Sequence, residues 1–372
     1  MLARHPRLAL ILLCLALWLP GLAALPPTDR DESRFVQATR QMLQTGDYVR
    51  IMNGAEPRNK KPIGIHWLQA PFAAAAQAAG VATQNPVWPY RLPSLLGAIT
   101  AVLATFSIGR TLLGTAQAGL LAGALLAGSV LLTVEAHIAK TDAALLGATT
   151  LAMMVLARAW AGQPLGWATA ALFWLAAGAD ILIKGSITPA ILVLTAAAAS
   201  IAARRVRWLL SLRPAWGVPL MLAAVTPWFI AIGIETHGAF FAEAVGGDLG
   251  RKLAGGEETH GAPPGYHLLL LPLLCLPATA PVLRGLHAAA LRWRQPATLF
   301  LLAWLIPAWL MFEVTPTKLP HYHLPLYPAL CLLASAWLTT PLPAPTWFAA
   351  ASRALATLAA AARRRGARRL PL

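Results

Sequence analysis

The run DRDESRFVQATRQMLQTGDYVRIMNGAEPRNKKPIGIHWLQ fills residues 29–69, and its reading decides the fold. It carries five of the fourteen carboxylates and seven of the thirty lysines and arginines. The sequence on either side turns apolar. Residues 8–19 are Leu-rich, and beyond residue 91 apolar runs of about 18 residues recur, the length that spans a bilayer. A charged segment lodged between such runs reads as a site-bearing loop, with the runs as its scaffold.

Composition supports this. The 372 residues have a mean hydropathy of +0.60, and only 12% are charged, against about 25% in a soluble domain. The chain is expected to be a polytopic membrane protein. Its net charge of +16 does not call for nucleic acid, because the arginines lie between apolar runs, where they set orientation. Cys14, Cys275 and Cys331 sit inside apolar runs without a Cys-x-x-Cys pair, which excludes a disulfide framework or cysteine zinc cluster.

Residues 1–27 place Arg4 and Arg7 before the Leu-rich run, the pattern of a cleaved signal peptide or a first anchor; the anchor is the expectation here. Residues 62–82 read as a juxtamembrane helix. Further spans are expected at 92–108, 116–134, 143–159, 167–183, 187–203, 218–234, 268–283, 297–312 and 324–338, about ten with the anchor. Residues 341–372 form a Pro/Ala/Arg-rich tail ending in Arg363, Arg364, Arg365, Arg368 and Arg369, expected on the cytoplasmic membrane surface. Threaded from a cytoplasmic start, the spans put Arg110, Arg158, Arg204, Arg205, Arg207, Arg213, Arg284, Arg292 and Arg294 inside. The acidic residues then fall on or near the opposite face, so the chemistry is expected there.

Several residues on that face are candidates. Residues 34–44 pattern as a short amphipathic helix ending at Gly46, and Asp31 is either its N-cap or a base or substrate clamp. Lys60 and Lys61 stand on the face where the positive-inside rule disfavours them, which points to a bound anion such as a phosphate. Glu135, His137, Lys140 and Asp142 mark one outer junction, as a functional cluster or a Lys140–Asp142 pair at a helix start. Asp180 and Lys184, four apart near an outer helix end, read equally as functional candidates or as a structural pair. Residues 235–267 form a second external loop holding Glu243, Asp248, Glu257, Glu258 and His260; no fixed ligand spacing appears, so no metal ligands are assigned and metal is the minority reading. Lys318, His321 and His323 close the last connection. The sequence has no P-loop, Gly-x-Ser-x-Gly or His-Glu-x-x-His, which leaves nucleotide-driven pumps and simple hydrolases without support.

Taken in order, Asp31-Glu32-Ser33-Arg34, Gly46-Asp47-Tyr48, Asn53-Gly54 and Lys61-Pro62-Ile63-Gly64-Ile65-His66-Trp67 resemble the first external loop of the bacterial aminoarabinose transferase-like family. These are lipid-linked glycosyltransferases of the C-type (GT-C) fold, related to dolichyl-phosphate-mannose protein mannosyltransferases. Ala139-Lys140-Thr141-Asp142, Ile183-Lys184-Gly185, Glu243 through His260 with Tyr266, and Thr317-Lys318-Leu319-Pro320-His321-Tyr322 continue the resemblance over roughly residues 25–330. It implies an all-α GT-C domain over 1–340, with juxtamembrane helices in the external loop 26–90. It also implies transfer of a sugar from a polyprenyl-phosphate donor to a lipid (lipid A-like) or protein acceptor at the periplasmic face of the inner membrane. Asp31 is expected in catalysis or acceptor binding with Glu32 beside it, and Asp142 as helper. Lys61, Arg34, Lys60 and Lys318 are expected at the lipid phosphate, and His66, Glu243, His260 and His321 elsewhere on substrate. One departure stands out: the family carries Glu before this Lys-Pro, where this chain has Lys60, which weakens the case for metal use and for aminoarabinose as the sugar. The residues name no cofactor.

On these residues the expected chemistry is a single displacement with inversion. Cations neutralise the leaving phosphate, Asp31 serves a hydroxyl acceptor as base, and a phosphate acceptor needs none. The rival reading is a transporter or flippase of a lipid-linked sugar, which predicts charges at mid-membrane in broken helices. A non-catalytic scaffold is the third.

Overall fold

Helices dominate the structure, a computed structural model that describes residues 5–81, 86–244 and 261–340. The first is α1 (Pro6–Trp18). The polar stretch folds into α2 (Arg30–Thr45), a hairpin of β1 (Met52–Asn53) and β2 (Glu56–Pro57), and α3 (Gly64–Ala78). The bundle then runs α4 (Trp88–Leu113), α5 (Ala116–Ala127), α6 (Val130–Ala136), α7 (Asp142–Trp160), α8 (Trp167–Lys184), α9 (Ile187–Ala203) and α10 (Pro214–Glu235). A short turn, α11 (Ala239–Phe241), precedes α12 (Tyr266–Leu274), α13 (Thr279–Leu291), α14 (Pro296–Val314), a 3-10 segment (Pro320–Leu326) and α15 (Tyr327–Thr339).

Every expected span finds a helix, and the helices differ in length. Among the described residues five helices are long and apolar enough to cross a membrane: α4, α7, α8, α10 and α14. A sixth arises if α5 and α6, bent by 65°, are one span. The 116–134 run breaks because the Ser129 hydroxyl donates to the Leu126 carbonyl at 2.8 Å and its backbone turns extended. The 268–283 run breaks between α12 and α13, at Pro277, and Pro320 and Pro325 hold the start of the last run in a 3-10 turn. At 1.5 Å per residue, α9 with its 17 residues rises only about 25 Å, short of a hydrocarbon core of about 30 Å.

Packing between helices relies on small residues. A methyl group added at Gly97 on α4 would lie 2.5 Å from the Ala143 carbonyl of α7, and one at Gly147 would lie 2.7 Å from the Gly97 carbonyl. The two backbones therefore touch, as small residues permit in apolar surroundings where no hydrophobic drive joins helices. This contact fixes the start of α7 against the start of α4. Large apolar side chains such as Val193, Ile201, Ile230 and Leu269 remain on the outside, as a lipid-facing surface requires.

The two ends of the bundle differ in charge. At one, Arg205 donates to the Trp160 carbonyl at 2.9 Å, Arg213 stacks on Trp167, and Arg7 and Arg110 both approach Phe106. At the other lie α2, the hairpin, the starts of α4 and α7, the end of α8 and the 3-10 segment. The expected cytoplasmic tail, 341–372, lies outside the described residues.

Candidate active site at the acidic end

Helix α2 starts two residues earlier than an Asp31 N-cap would allow. Asp29 is the cap, its Oδ1 accepting from the Asp31 N–H at 2.8 Å, and Gly46 closes the helix in a left-handed conformation (φ 72°). That leaves the Asp31 side chain available. Its Oδ1 lies 3.3 Å from Arg34 Nη1, one turn on, and 3.4 Å from Arg58 Nη2, 27 residues away. The hairpin creates this long-range contact. Gln41 on α2 exchanges two hydrogen bonds with Gly54 at its tip, at 2.8 and 2.9 Å, folding Arg58 and Lys61 back over α2. Both cations rest on the Phe35 ring, at 4.8 and 5.3 Å from its centre. Burial alone would raise the Asp31 pKa; Lys61, Arg58 and Arg34 overcome it and hold the carboxyl below its ordinary value.

A second cluster lies where α6, α7, α8 and the 3-10 segment converge. Lys140 Nζ sits 3.2 Å from Asp29, 3.3 Å from Glu135 and 3.9 Å from Asp142. Lys184, at the end of α8, donates to Asp142 Oδ1. His321 approaches Glu135 at 3.7 Å and Asp142 at 3.8 Å. Its imidazole is pushed down to about 3, mainly by burial and against the pull of Asp142, so it is neutral at ordinary pH. Asp142, Lys184, His321, Tyr322 and Phe312 line one narrow recess. Lys61 lies within electrostatic reach of Asp31, Asp142 and His321, and so links the two clusters.

The expected residues thus divide. Asp31, Arg34 and Lys61 come together, and Asp142 and His321 meet close by. Lys60 is exposed on the hairpin side of Lys61. Glu32 is buried beneath: Arg91 holds both its oxygens, at 2.8 and 3.2 Å, and the Ala139 N–H donates to it at 2.9 Å. His66 is buried between α2 and α3. The Thr39 hydroxyl donates to Gln69 Oε1 at 2.7 Å, so its oxygen accepts from His66 Nδ1, also at 2.7 Å. Lys318 donates to the carbonyls of Ala262 and Thr315, at 2.9 and 2.8 Å. Glu243 lies just past α11, and no ion pair or hydrogen bond among the described residues joins it to Asp31, Lys61 or Asp142. His260 falls outside the described residues. The Asp180–Lys184 pairing does not form: Asp180 accepts from Thr149 at 3.3 Å, and Lys184 crosses to Asp142. Arg58 and Arg91 were missed altogether, since neither has a partner near it in sequence. Asp29 and Lys140 as direct partners, 111 residues apart, were equally illegible.

A family model described as dolichyl-phosphate-mannose-protein mannosyltransferase matches residues 60–230. The undecaprenyl phosphate-α-4-amino-4-deoxy-L-arabinose arabinosyl transferase of Pseudomonas aeruginosa is 28% identical over 329 residues, covering 85% of this chain and 55% of that protein. The enzyme of that name from Yersinia enterocolitica is 28% identical over 338 residues, covering 83% and 55%. The chain spans about half the length of the curated relatives it matches. Among solved structures, ArnT from Cupriavidus metallidurans bound to undecaprenyl phosphate superposes with a TM-score of 0.79 at 23% identity, over 90% of this chain and 60% of that one. The archaeal oligosaccharyltransferase AglB from Archaeoglobus fulgidus, in complex with an inhibitory peptide and a dolichol-phosphate, gives 0.57 at 14% identity, over 97% and 55%.

The fold is therefore that of the C-type membrane glycosyltransferases. Within that class, the chain is similar to the matched model over residues 60–230 and to the aminoarabinose transferases over most of its length.

Proposed function

We propose that this chain transfers a sugar from a polyprenyl-phosphate donor to a lipid (lipid A-like) or protein acceptor, at the periplasmic face of the inner membrane. The observation that carries the reading is the convergence of Arg34, Arg58 and Lys61 on one side chain, Asp31, at the end of the bundle opposite the arginine-rich loops. Three cations around one carboxylate leave positive charge to spare for a phosphate, and the leaving polyprenyl phosphate needs that more than it needs a proton. The relatives are named for undecaprenyl phosphate, and two solved neighbours hold undecaprenyl phosphate or dolichol-phosphate. The arginine-rich end marks the cytoplasmic side by the positive-inside rule, which supports a periplasmic site.

Roles follow from surroundings. Lys61, Arg58 and Arg34 bind the phosphate, and Lys60 adds long-range attraction. Asp31 orients the acceptor. Its lowered pKa makes it a weak base, which favours an acceptor that is already anionic, such as a phosphate, over a hydroxyl. Asp142, fixed by Lys184 and Lys140, helps on the sugar side with His321. Glu32 positions rather than reacts, because it is buried and both its oxygens are held, by Arg91 and the Ala139 N–H. Residues 1–340 act as one transmembrane glycosyltransferase domain, with 26–90 and 235–267 as its external loops. A flippase would place its ionisable groups at mid-membrane, and their gathering at one end weighs against it.

The test is reconstitution of the full chain in nanodiscs with a tritiated undecaprenyl-phosphate sugar and lipid A or peptide acceptors. Mass spectrometry of envelope glycolipids and glycoproteins, with and without the protein, would identify the natural pair. Transfer with an inverted anomeric centre by NMR is the expected result. Retention rejects the single displacement, and movement of the donor across the bilayer without transfer rejects the enzyme.

A further inference from the structure

The 3-10 segment that supplies His321 to one cluster turns His323 the other way, into a second group of polar side chains. There His267 Nδ1 lies 3.4 Å from Glu313 Oε1, and the His267 and His323 rings approach to 3.7 Å between centres. One ligand atom from each of His267, Glu313 and His323 can be chosen so that all three lie within 4.8 Å of one another. His267 and His323 are buried, and Glu313 is mostly so.

The hydrogen-bond inventory here does not close. His267 Nδ1, Glu313 Oε1 and both nitrogens of His323 are buried with no hydrogen-bond partner among the described residues. The Trp309 backbone lies within hydrogen-bonding reach of one nitrogen of the His323 ring, short of ordinary geometry. Buried polar atoms are nearly always satisfied, so four orphans in one spot require a missing partner. A cation meets three of them at once, one from each residue. His267 donates from Nε2 to the Leu319 carbonyl at 3.1 Å, which leaves a lone pair on Nδ1 facing a carboxylate oxygen. Protonating His267 would cure that clash alone and would leave His323 unpaired.

We propose that His267, Glu313 and His323 bind one divalent transition-metal ion, zinc by preference, which clamps the 3-10 segment to α12 and α14. Two imidazoles and a carboxylate are a donor set that zinc favours, with a fourth position open. The 3.4 Å between Nδ1 and Oε1 matches the roughly 3.3 Å between ligands of a tetrahedron with bonds of about 2.0–2.1 Å. The supporting contacts are in place as well. The Leu319 carbonyl fixes the His267 tautomer, the Gly265 N–H donates to the other Glu313 oxygen at 2.9 Å, and Trp309 stacks on His323 at 4.1 Å to set its ring plane. The ion would hold the turn carrying His321 and Tyr322 at the distance the Asp142 recess needs. This site is separate from the carboxylate–lysine cluster and shares only the 3-10 segment with it.

The experiment uses the tag-free full chain in detergent. Elemental analysis after dialysis is expected to find about one zinc per chain, and Glu313→Gln or His323→Asn to lower occupancy by about tenfold or more. His287→Asn, a histidine outside the group, keeps the metal. In case the variants fold poorly, a second measurement uses the wild-type protein stripped with chelator. Zinc should restore several degrees of thermal midpoint, and cobalt(II) should give the visible absorption of a tetrahedral site. Wild-type protein without zinc and without a thermal response overturns the proposal, as does equal metal in wild type and His323→Asn.

Discussion

Arg91 grips both carboxylate oxygens of Glu32, at 2.8 and 3.2 Å, and spends its remaining donors on the carbonyls of Leu22, Leu25 and Pro26. Both side chains are almost completely buried. One residue of α4 therefore fixes the entry of the chain after α1, the start of α2 and, through Ala139, the approach to α7.

Breaking that pair should unfold the site before it touches chemistry. Removing one member of a buried ion pair costs about 3–5 kcal/mol. Arg91→Met is expected to lower the thermal midpoint in detergent and the abundance in membranes. Glu32→Gln combined with Arg91→Met should recover part of the loss, and a double-mutant cycle would measure the coupling.

Asp31→Asn and Lys61→Ala should behave differently. Both side chains are only partly buried, so abundance and midpoint should hardly move. Lys61→Ala is expected to weaken polyprenyl-phosphate binding by about 1.5–3 kcal/mol, the usual worth of a charge-assisted hydrogen bond, or about ten- to a hundredfold. Lys61→Arg should restore part of it. Binding isotherms in nanodiscs decide, and an unchanged Lys61→Ala isotherm would remove this residue from the site.

Lys184→Met leaves Asp142 with Lys140 at 3.9 Å as its nearest remaining lysine. The expected outcome is a fall in transfer rate larger than any change in donor affinity, because Asp142 loses its orientation. Rates at saturating donor, set beside binding constants for the same variant, separate the two effects.

Acid should destabilise the protein in a defined window. Burial pushes His321 and His66 down to about 3, against 6.5 ordinarily. Between these values the unfolded chain takes up protons that the folded chain refuses. Stability therefore rises with pH from about 3 to about 6.5 and is complete above it. Asp31 has the opposite charge type and a lowered pKa, so its contribution is present above about 4 and is lost as pH falls through its folded value. Thermal midpoints against pH should show this slope, and His321→Asn should flatten it in part.

Much of this architecture was legible in the residues. Long apolar runs separated by arginines specify membrane helices and their polarity, because burying backbone in lipid leaves helix as the available form for such runs. The helix ending at Gly46, the juxtamembrane helix and the placement of Asp31 and Lys61 at the same end followed from local pattern. The breaks at Ser129 and Pro277 were harder to see, since a short interruption barely alters the hydropathy of a window. The pairings could not be seen at all. Nothing local shows that Glu32, next to Asp31, is sealed by Arg91, 59 residues on. Lys184 looked like the partner of Asp180 on its own helix, but it reaches Asp142 across 42 residues.

Local chemistry alone therefore determined which segments are apolar enough to enter a membrane and at which end the acidic residues gather. Tertiary structure alone decided which carboxylate stays open and which is sealed. That choice depends on how closely α4 and α7 can approach at Gly97 and Gly147, and on where the hairpin returns Arg58. Both are set by contacts between distant parts of the chain, and a side chain's ionic partner is whichever charge packing brings within a few ångströms.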